Sequence, residues 1–314
     1  IYEEMVATAA AASTPDKRRA VGVACASYCC TGGNGDNAGA DLELNPDGSV
    51  TNFNTWEDQG QGGDVGTVMH TLKCLEPLGL GPDQVHVVMD DSKYCPDSGM
   101  AGGSRSHMMV GHATIDAARK LLQAMRKPDG GYRCYEEMTA AGIPTKYQGY
   151  YEVGGLGLVP TDPNTGAGSS SPTLMYGVIM ADMEVDRQTG KATCKSYVIV
   201  DDIGAVGNPI SVEGQAFGGA SHCIGFALSE NYDDVKKHAN MKGAGIPYPQ
   251  DIPDDLRVYH CLTPRKEGPH GSSGCSELYQ SAGHMAVING IYRASGVRIY
   301  ELPAYPEKIK AGLD

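Results

Sequence analysis

Four times along this chain a glycine-rich stretch runs into a segment of helical periodicity. Gln61-Gly62-Gly63 leads into DVGTVMHTLKCL, and Gly102-Gly103-Ser104-Arg105-Ser106 into HMMVGHATIDAARKLLQAM. Gly214-Gln215-Ala216-Phe217-Gly218-Gly219 leads into ASHCIGFALSEN, and Gly271-Ser272-Ser273-Gly274-Cys275-Ser276 into ELYQSAGHMAVINGIYRASG. The first turn of a helix carries N–H groups without intrahelical acceptors and a partial positive charge, and glycine lets a ligand approach the backbone. One such stretch is an ordinary turn plus cap. Four in 314 residues predict a large, oxygen-rich ligand held from several sides. None has the Walker pattern, and none is a G-x-G-x-x-G with an acidic residue about 20 positions on.

Around these stretches the chain reads as mixed α+β in two lobes. IYEEMVATAAAASTPDKRRA starts without Met and reads as a helix already under way, as in a processed, split or partial product. DLELNPDGSVTNFNTWED reads as a hairpin about Asn45-Pro46-Asp47-Gly48. In the first glycine-opened helix Val65, Val68, Met69, Leu72 and Leu75 form the apolar stripe; in the second, Met108, Ile115, Ala118, Leu122 and Met125 do. DQVHVVMDD, LMYGVIMADMEVD, KATCKSYVIVDD, LRVYHCLTP and GVRIYELPA read as strands, the second and third of them joined by Arg187-Gln188-Thr189-Gly190. The expected division is a first lobe over 1–126, an irregular connection over 127–174, and a second lobe over 175–314.

A net charge of −13 argues against non-specific nucleic-acid binding, which needs Lys and Arg facing phosphates. The short basic runs DKRRA and VKKHANMK read as solvated surface. Ten scattered cysteines without Cys-x-x-Cys or a zinc-type spacing read as reduced thiols of an intracellular protein, and Cys29-Cys30 as packing. No run of 18 apolar residues predicts a membrane span.

Glu277 sits where the fourth stretch becomes a helix. Ser276 could cap that helix with Glu277 as its first-turn acid, contributing about 0.3–1 kcal/mol. Alternatively the carboxylate is a general base beside a bound ligand. Spacing alone leaves both readings open.

WEDQGQGGDVG, PDSGMAGGSRSH, VEGQAFGGASHCIGFALSENYDDVKKH and GPHGSSGCSELYQSAGHMAVINGIYRASGVRIYELPA resemble the C-terminal part of bacterial molybdenum aldehyde oxidoreductases of the xanthine oxidase family. The likeness to Desulfovibrio-type members runs over nearly the whole chain, through RKPDGGYRCYEEM to the final KIKAGLD. The resemblance implies a molybdenum cofactor on a pterin dithiolene (molybdopterin), extended as a cytosine dinucleotide and wrapped by glycine-rich loops, with no protein side chain on the metal. It implies cofactor contacts from Gln61, Gly62, Gly63, Gly102, Gly103, Ser104, Arg105, Ser106, Gln215, Ser272, Ser273, Gly274, Cys275 and Ser276. Glu277 occupies the place of the family's base, which assists water-derived oxygen in attacking an aldehyde carbon, so that hydride leaves and a carboxylic acid forms.

Many family members place glycine directly before the glutamate and proline after it. Here Ser276 and Leu278 stand there, which matches the aldehyde branch better than the purine enzymes. A glutamine kept near the base in several relatives is Ser211 here, and Tyr28 falls where relatives approach a substrate funnel. The resemblance further implies an upstream molybdenum-binding part and two-iron two-sulfur clusters on another chain or segment, and a cytoplasmic location. A homodimer of the whole assembly is compatible with it. The alternatives are a hydroxylase of purines or other N-heterocycles, and a non-catalytic cofactor-carrying subunit.

Overall fold

The computed structural model describes residues 1–30 and 33–313, so the last residue of KIKAGLD lies outside it. Two four-stranded mixed sheets organise the chain. The first has the order β1 (Lys17–Cys30), β6 (Thr173–Asp186), β7 (Ala192–Asp202), β8 (Leu256–His260), antiparallel except for the β7–β8 pair. The second has the order β4 (Val85–Val88), β3 (Val50–Phe53), β2 (Asn37–Leu44), β5 (Lys146–Glu152), antiparallel except for β3–β4. Helices α1 (Tyr2–Ala12), α5 (Pro209–Leu228), α6 (Ser276–Ser281), α7 (Gly283–Ser295) and α8 (Pro306–Leu313) go with the first sheet. Helices α2 (Gly63–Cys74), α3 (Arg105–Met125) and α4 (Tyr135–Ala140) go with the second. The class is α+β, and the hairpin, α2, β4, α3, β6, β7 and β8 fall where patterning places them.

The sheets cut across the sequence segments. β1, from the first lobe's residues, pairs with β6 along its full length, and β5, from the irregular connection, pairs with β2. β1 replaces the expected continuation of the N-terminal helix through Ala20. Its inward positions Gly22, Ala24 and Ala26 are small, so the strand lacks the bulky alternation that marks one. Smallness has a packing purpose: a methyl at Gly22 would overlap the α7 backbone at Ala286 and Gly290. Gly149 of β5 repeats the device, lying directly against the α3 backbone at Ala113 and Ala117. Arg19, in the run read as solvated, forms an ion pair with Asp182, which is only 2% exposed.

Other expectations fail for identifiable reasons. On α2 the buried residues are Gly63, Thr67, His70 and Thr71, while Val65 and Met69 are exposed. Asn52 of the facing strand β3 and Asn54 just after it donate through their amides to Thr71, Thr114 and Thr67 at 2.9–3.4 Å; a polar partner selects a polar helix face. The last long helix is broken at Ala282 into α6 and α7. Gly283 there lies against the Tyr197 hydroxyl and Cys223, where no side chain fits. GVRIYELPA forms no strand: the segment crosses the end of α5, Ala304 N–H donating to Ala227 O at 2.7 Å, with Ile299 and Leu302 turned into the core.

Candidate active site

A cavity of about 860 Å³ lies where the starts of α2 and α3, the middle of α5 and the 270–277 segment converge. It is lined by Glu277, Gln61, Gly62, Gly102, Ser104, Arg105, Ser106, Gln215, Ser272, Ser273, Gly274, Cys275 and Ser276. Gly63 and Gly103, also expected there, are not part of the lining; each stands next to a residue that is.

Three of the glycine stretches open helices as expected. Gly62 is the N-cap of α2 with φ 85°, and the Asp58 carboxylate accepts from the N–H groups of Gly60, Gly62 and Asp64 at 2.8–3.3 Å. Gln61 folds back on its own loop, its amide donating to Glu57 O at 2.6 Å. Ser104 precedes α3 in the left-handed region, φ 54°, a conformation that costs a non-glycine residue energy and is found at sites that demand it. No side chain caps α3, so its first-turn N–H groups are directed at the cavity end without a partner from a capping residue. The Arg105 guanidinium points away from the cavity, paired with Asp36 and donating to the carbonyls of Ser98, Met100 and Asn37.

The third stretch does not open a helix. Gly214–Gly219 lies inside α5, which starts at Pro209 behind Asn208, whose side chain accepts from Ser211 N–H at 3.2 Å. Gly219 serves helix packing, since a methyl there would meet Tyr279 Cβ at 2.5 Å. Gln215 nevertheless reaches the cavity.

Glu277 stands in the first turn of α6, and its carboxylate accepts from the Ser104 hydroxyl across the cavity wall. Of the cap reading, Glu277 keeps its first-turn place but Ser276 is not the cap. The N-cap is Cys275 with no side-chain cap bond, and the Ser276 hydroxyl donates to Gln215 Oε1 at 2.7 Å. The two walls are in direct backbone contact, because a methyl at Gly274 would overlap the Ser104 carbonyl. Ser272 and Ser273 turn their hydroxyls inward, donating to Pro269 O and Ile203 O at 2.6 and 2.7 Å.

Below the wall, the Tyr279 hydroxyl donates to Asp201 at 2.7 Å, and His260 Nδ1 lies 2.9 Å from the same carboxylate. Burial pushes the Cys275 thiol up to about 12 and the Cys30 thiol to about 11, so both stay protonated at neutral pH. Tyr28 is raised by burial first and then by the charge of Glu277, which puts it within electrostatic reach of that carboxylate.

Sequence reasoning missed a group of histidines in the cavity lining. His70 Nε2 lies 3.2 Å from His107 Nδ1, His107 Nε2 lies 2.6 Å from Ser272 Oγ, and His270 stacks on His70 at 5.7 Å. Desolvation holds His107 down to about 4 and His70 well below its ordinary value, so both rings are neutral. A signal existed: His70 is seven residues after Gly63, two helical turns along the same face, and His107 is in the first turn of α3. Among the described residues no group of three or more His, Cys, Asp or Glu could hold a metal ion, and no helix is long and apolar enough to cross a membrane.

Comparison with known proteins gives a consistent placement. The family model described as molybdopterin cofactor-binding domain matches residues 1–253. The aldehyde oxidoreductase of Megalodesulfovibrio gigas is 40% identical over 312 residues, which is 99% of this chain and 34% of that protein. The xanthine dehydrogenase molybdenum-binding subunit of Escherichia coli O157:H7 is 25% identical over 326 residues, 93% of this chain and 42% of that subunit. The crystal structure of the aldehyde oxidoreductase from Desulfovibrio desulfuricans superposes with a TM-score of 0.95 at 43% identity, covering 100% of this chain and 34% of that one. The chain thus spans about a third of the length of the aldehyde oxidoreductases it matches.

Proposed function

The chain belongs to the molybdopterin cofactor-binding domain family, and from that premise we propose that it is the base-bearing part of a molybdenum enzyme that oxidises aldehydes to carboxylic acids with water as the oxygen source. The observation that carries this reading is the placement of Glu277, a carboxylate on the wall of a large cavity, held by a hydroxyl from the opposite loop rather than by its own helix. The 40% identity to a protein called aldehyde oxidoreductase, over 99% of this chain, supports the substrate class.

The residues present fit the cofactor. A cavity of about 860 Å³ is within the size range of sites for large ligands. The uncapped start of α3, the amides of Gln215 and Gln280, the Ser106 hydroxyl and the Lys73 ammonium line it, and they offer donors to a pterin and its phosphate. When bound, the cofactor supplies a Lewis acid and a two-electron acceptor. The chain supplies the rest. Glu277 takes up the proton of the water-derived nucleophile on a carboxylate oxygen. Ser104 keeps that carboxylate turned to the cavity. Cys275, protonated, offers no competing nucleophile. The same reading has the cofactor in its cytosine dinucleotide form. It puts two-iron two-sulfur clusters and a further molybdenum-binding part on polypeptide corresponding to the rest of the relatives' length, with the assembly paired as a homodimer in the cytoplasm.

Glu277→Gln in the natively purified assembly is the test. Aldehyde turnover is expected to fall by at least about 10²-fold with molybdenum content unchanged. Undiminished turnover contradicts the assignment of the base, and loss of molybdenum makes the residue structural. A second reading, hydroxylation of purines or other N-heterocycles, draws on the 25% identity to a xanthine dehydrogenase subunit, and a substrate panel covering both classes separates the two.

A further inference from the structure

The faces of the β1-β6-β7-β8 sheet are treated differently. One is covered by α5, α6 and α7. The other is covered by α1 over only part of the length of its strands, with Met5 and Ala9 packed on Val21 of β1, Met180 of β6 and Val198 of β7. The remaining part carries Leu174, Tyr176 and Val178 of β6, 42%, 49% and 38% exposed, and Tyr259 of β8, 40% exposed. Cys25 of β1 is opposite Val178 and is also exposed. Val178 is opposite Val200, and Val200 opposite Tyr259, so these side chains form one patch spanning all four strands.

An apolar sheet face is stable when another layer covers it, and a contiguous exposed patch marks an interface. The identity of the missing layer follows from length. The chain accounts for 34% of the Megalodesulfovibrio gigas relative, so about two-thirds of that protein has no counterpart here. We propose that this uncovered part of the face is the docking surface for the polypeptide corresponding to that remainder, laid beside α1 as a continuation of the same apolar layer. A second copy of this chain fits worse. Its α1 would stand about 10 Å proud of the sheet beside the patch and hold two such faces apart, and each copy carries a net charge of −13. The proposal rests on the reading of the chain as one part of a larger molybdenum enzyme, and it adds which surface joins the parts.

Cys25 makes the surface measurable without altering it. The natively purified assembly is treated with a water-soluble maleimide and the labelled peptides are quantified by mass spectrometry, with Cys134, exposed at the start of α4, as the reference for reagent access. Cys25 is expected to react at least tenfold more slowly in the native assembly than in the unfolded protein. With p-benzoylphenylalanine in place of Tyr176, irradiation is expected to cross-link to polypeptide outside residues 1–314. Rapid labelling of Cys25, cross-links to a second copy of this chain, or no cross-link to outside sequence each overturns the proposal. Molybdenum measured on the same sample separates the two readings. Protected Cys25 without molybdenum sinks the cofactor assignment and leaves the surface standing, and molybdenum with a freely reactive Cys25 does the reverse.

Discussion

The 271–276 loop and the 58–63 loop both bring glycine-rich backbone to one cavity, yet they are held by different means. The first is locked from behind. Gly274 touches the Ser104 backbone, Ser272 and Ser273 bond inward, and Tyr279 ties the following helix to Asp201. The second is exposed and closes on itself through Asp58 and Gln61. Glu277, the base in the proposed reading, is on the locked wall. Gln61 and Gly62, cofactor contacts in the same reading, are on the self-contained loop. Glycine is used in both, but for opposite reasons: at Gly274 because a neighbour is too close, at Gly62 because φ is 85°.

This contrast can be broken from either side. Gly274→Ala forces a methyl into the Ser104 carbonyl and should cost about 3 kcal/mol in denaturant unfolding, with loss of turnover because both walls shift. A neutral outcome would mean the walls are not in firm contact. Acid should act on the same wall through the cavity-lining histidines beside it. His107 has an ordinary value of 6.5 and is held at about 4 in the folded protein. Between those limits the unfolded chain takes up a proton that the folded ring refuses. Stability from this group is therefore full above pH 6.5 and is lost as pH falls toward 4, by about 3 kcal/mol. His107→Gln should flatten that slope in pH-dependent thermal melts; an unchanged slope assigns it to other groups.

Tyr279→Phe leaves the buried Asp201 carboxylate with His260 but without the tyrosine donor, and is expected to cost about 2 kcal/mol by the same unfolding measurement. The smallest effect belongs to the exposed loop. Asp58→Ala removes an acceptor for three backbone N–H groups and should cost about 1 kcal/mol or less. A larger loss than that of Tyr279→Phe would reverse the contrast between the walls.

What could be read in the sequence was whatever depended on local periodicity. The hairpin about Asn45–Gly48, the long β6 and β7 strands and α3 announce themselves by alternation, turn residues and helical spacing. The cavity-lining loops were legible too, because glycine before a helix leaves a visible mark. What stayed hidden was decided by partners far away in the chain. β1 carries Gly22 and small residues because α7 presses on it, and smallness erases a strand's signature. α2 turns its threonines inward because Asn52 of β3 and Asn54 just after it meet them. The Gly214–Gly219 stretch looked like a loop, but it lies inside a helix, where Gly219 makes room for Tyr279. Glu277 could be named but its setting could not, since Ser104 is 173 residues away in sequence.

The central claim is that the converging loops hold a molybdenum cofactor beside Glu277. Molybdenum and pterin per chain in natively purified protein test it most directly. The account predicts close to one of each. A well-folded native assembly with neither would contradict it.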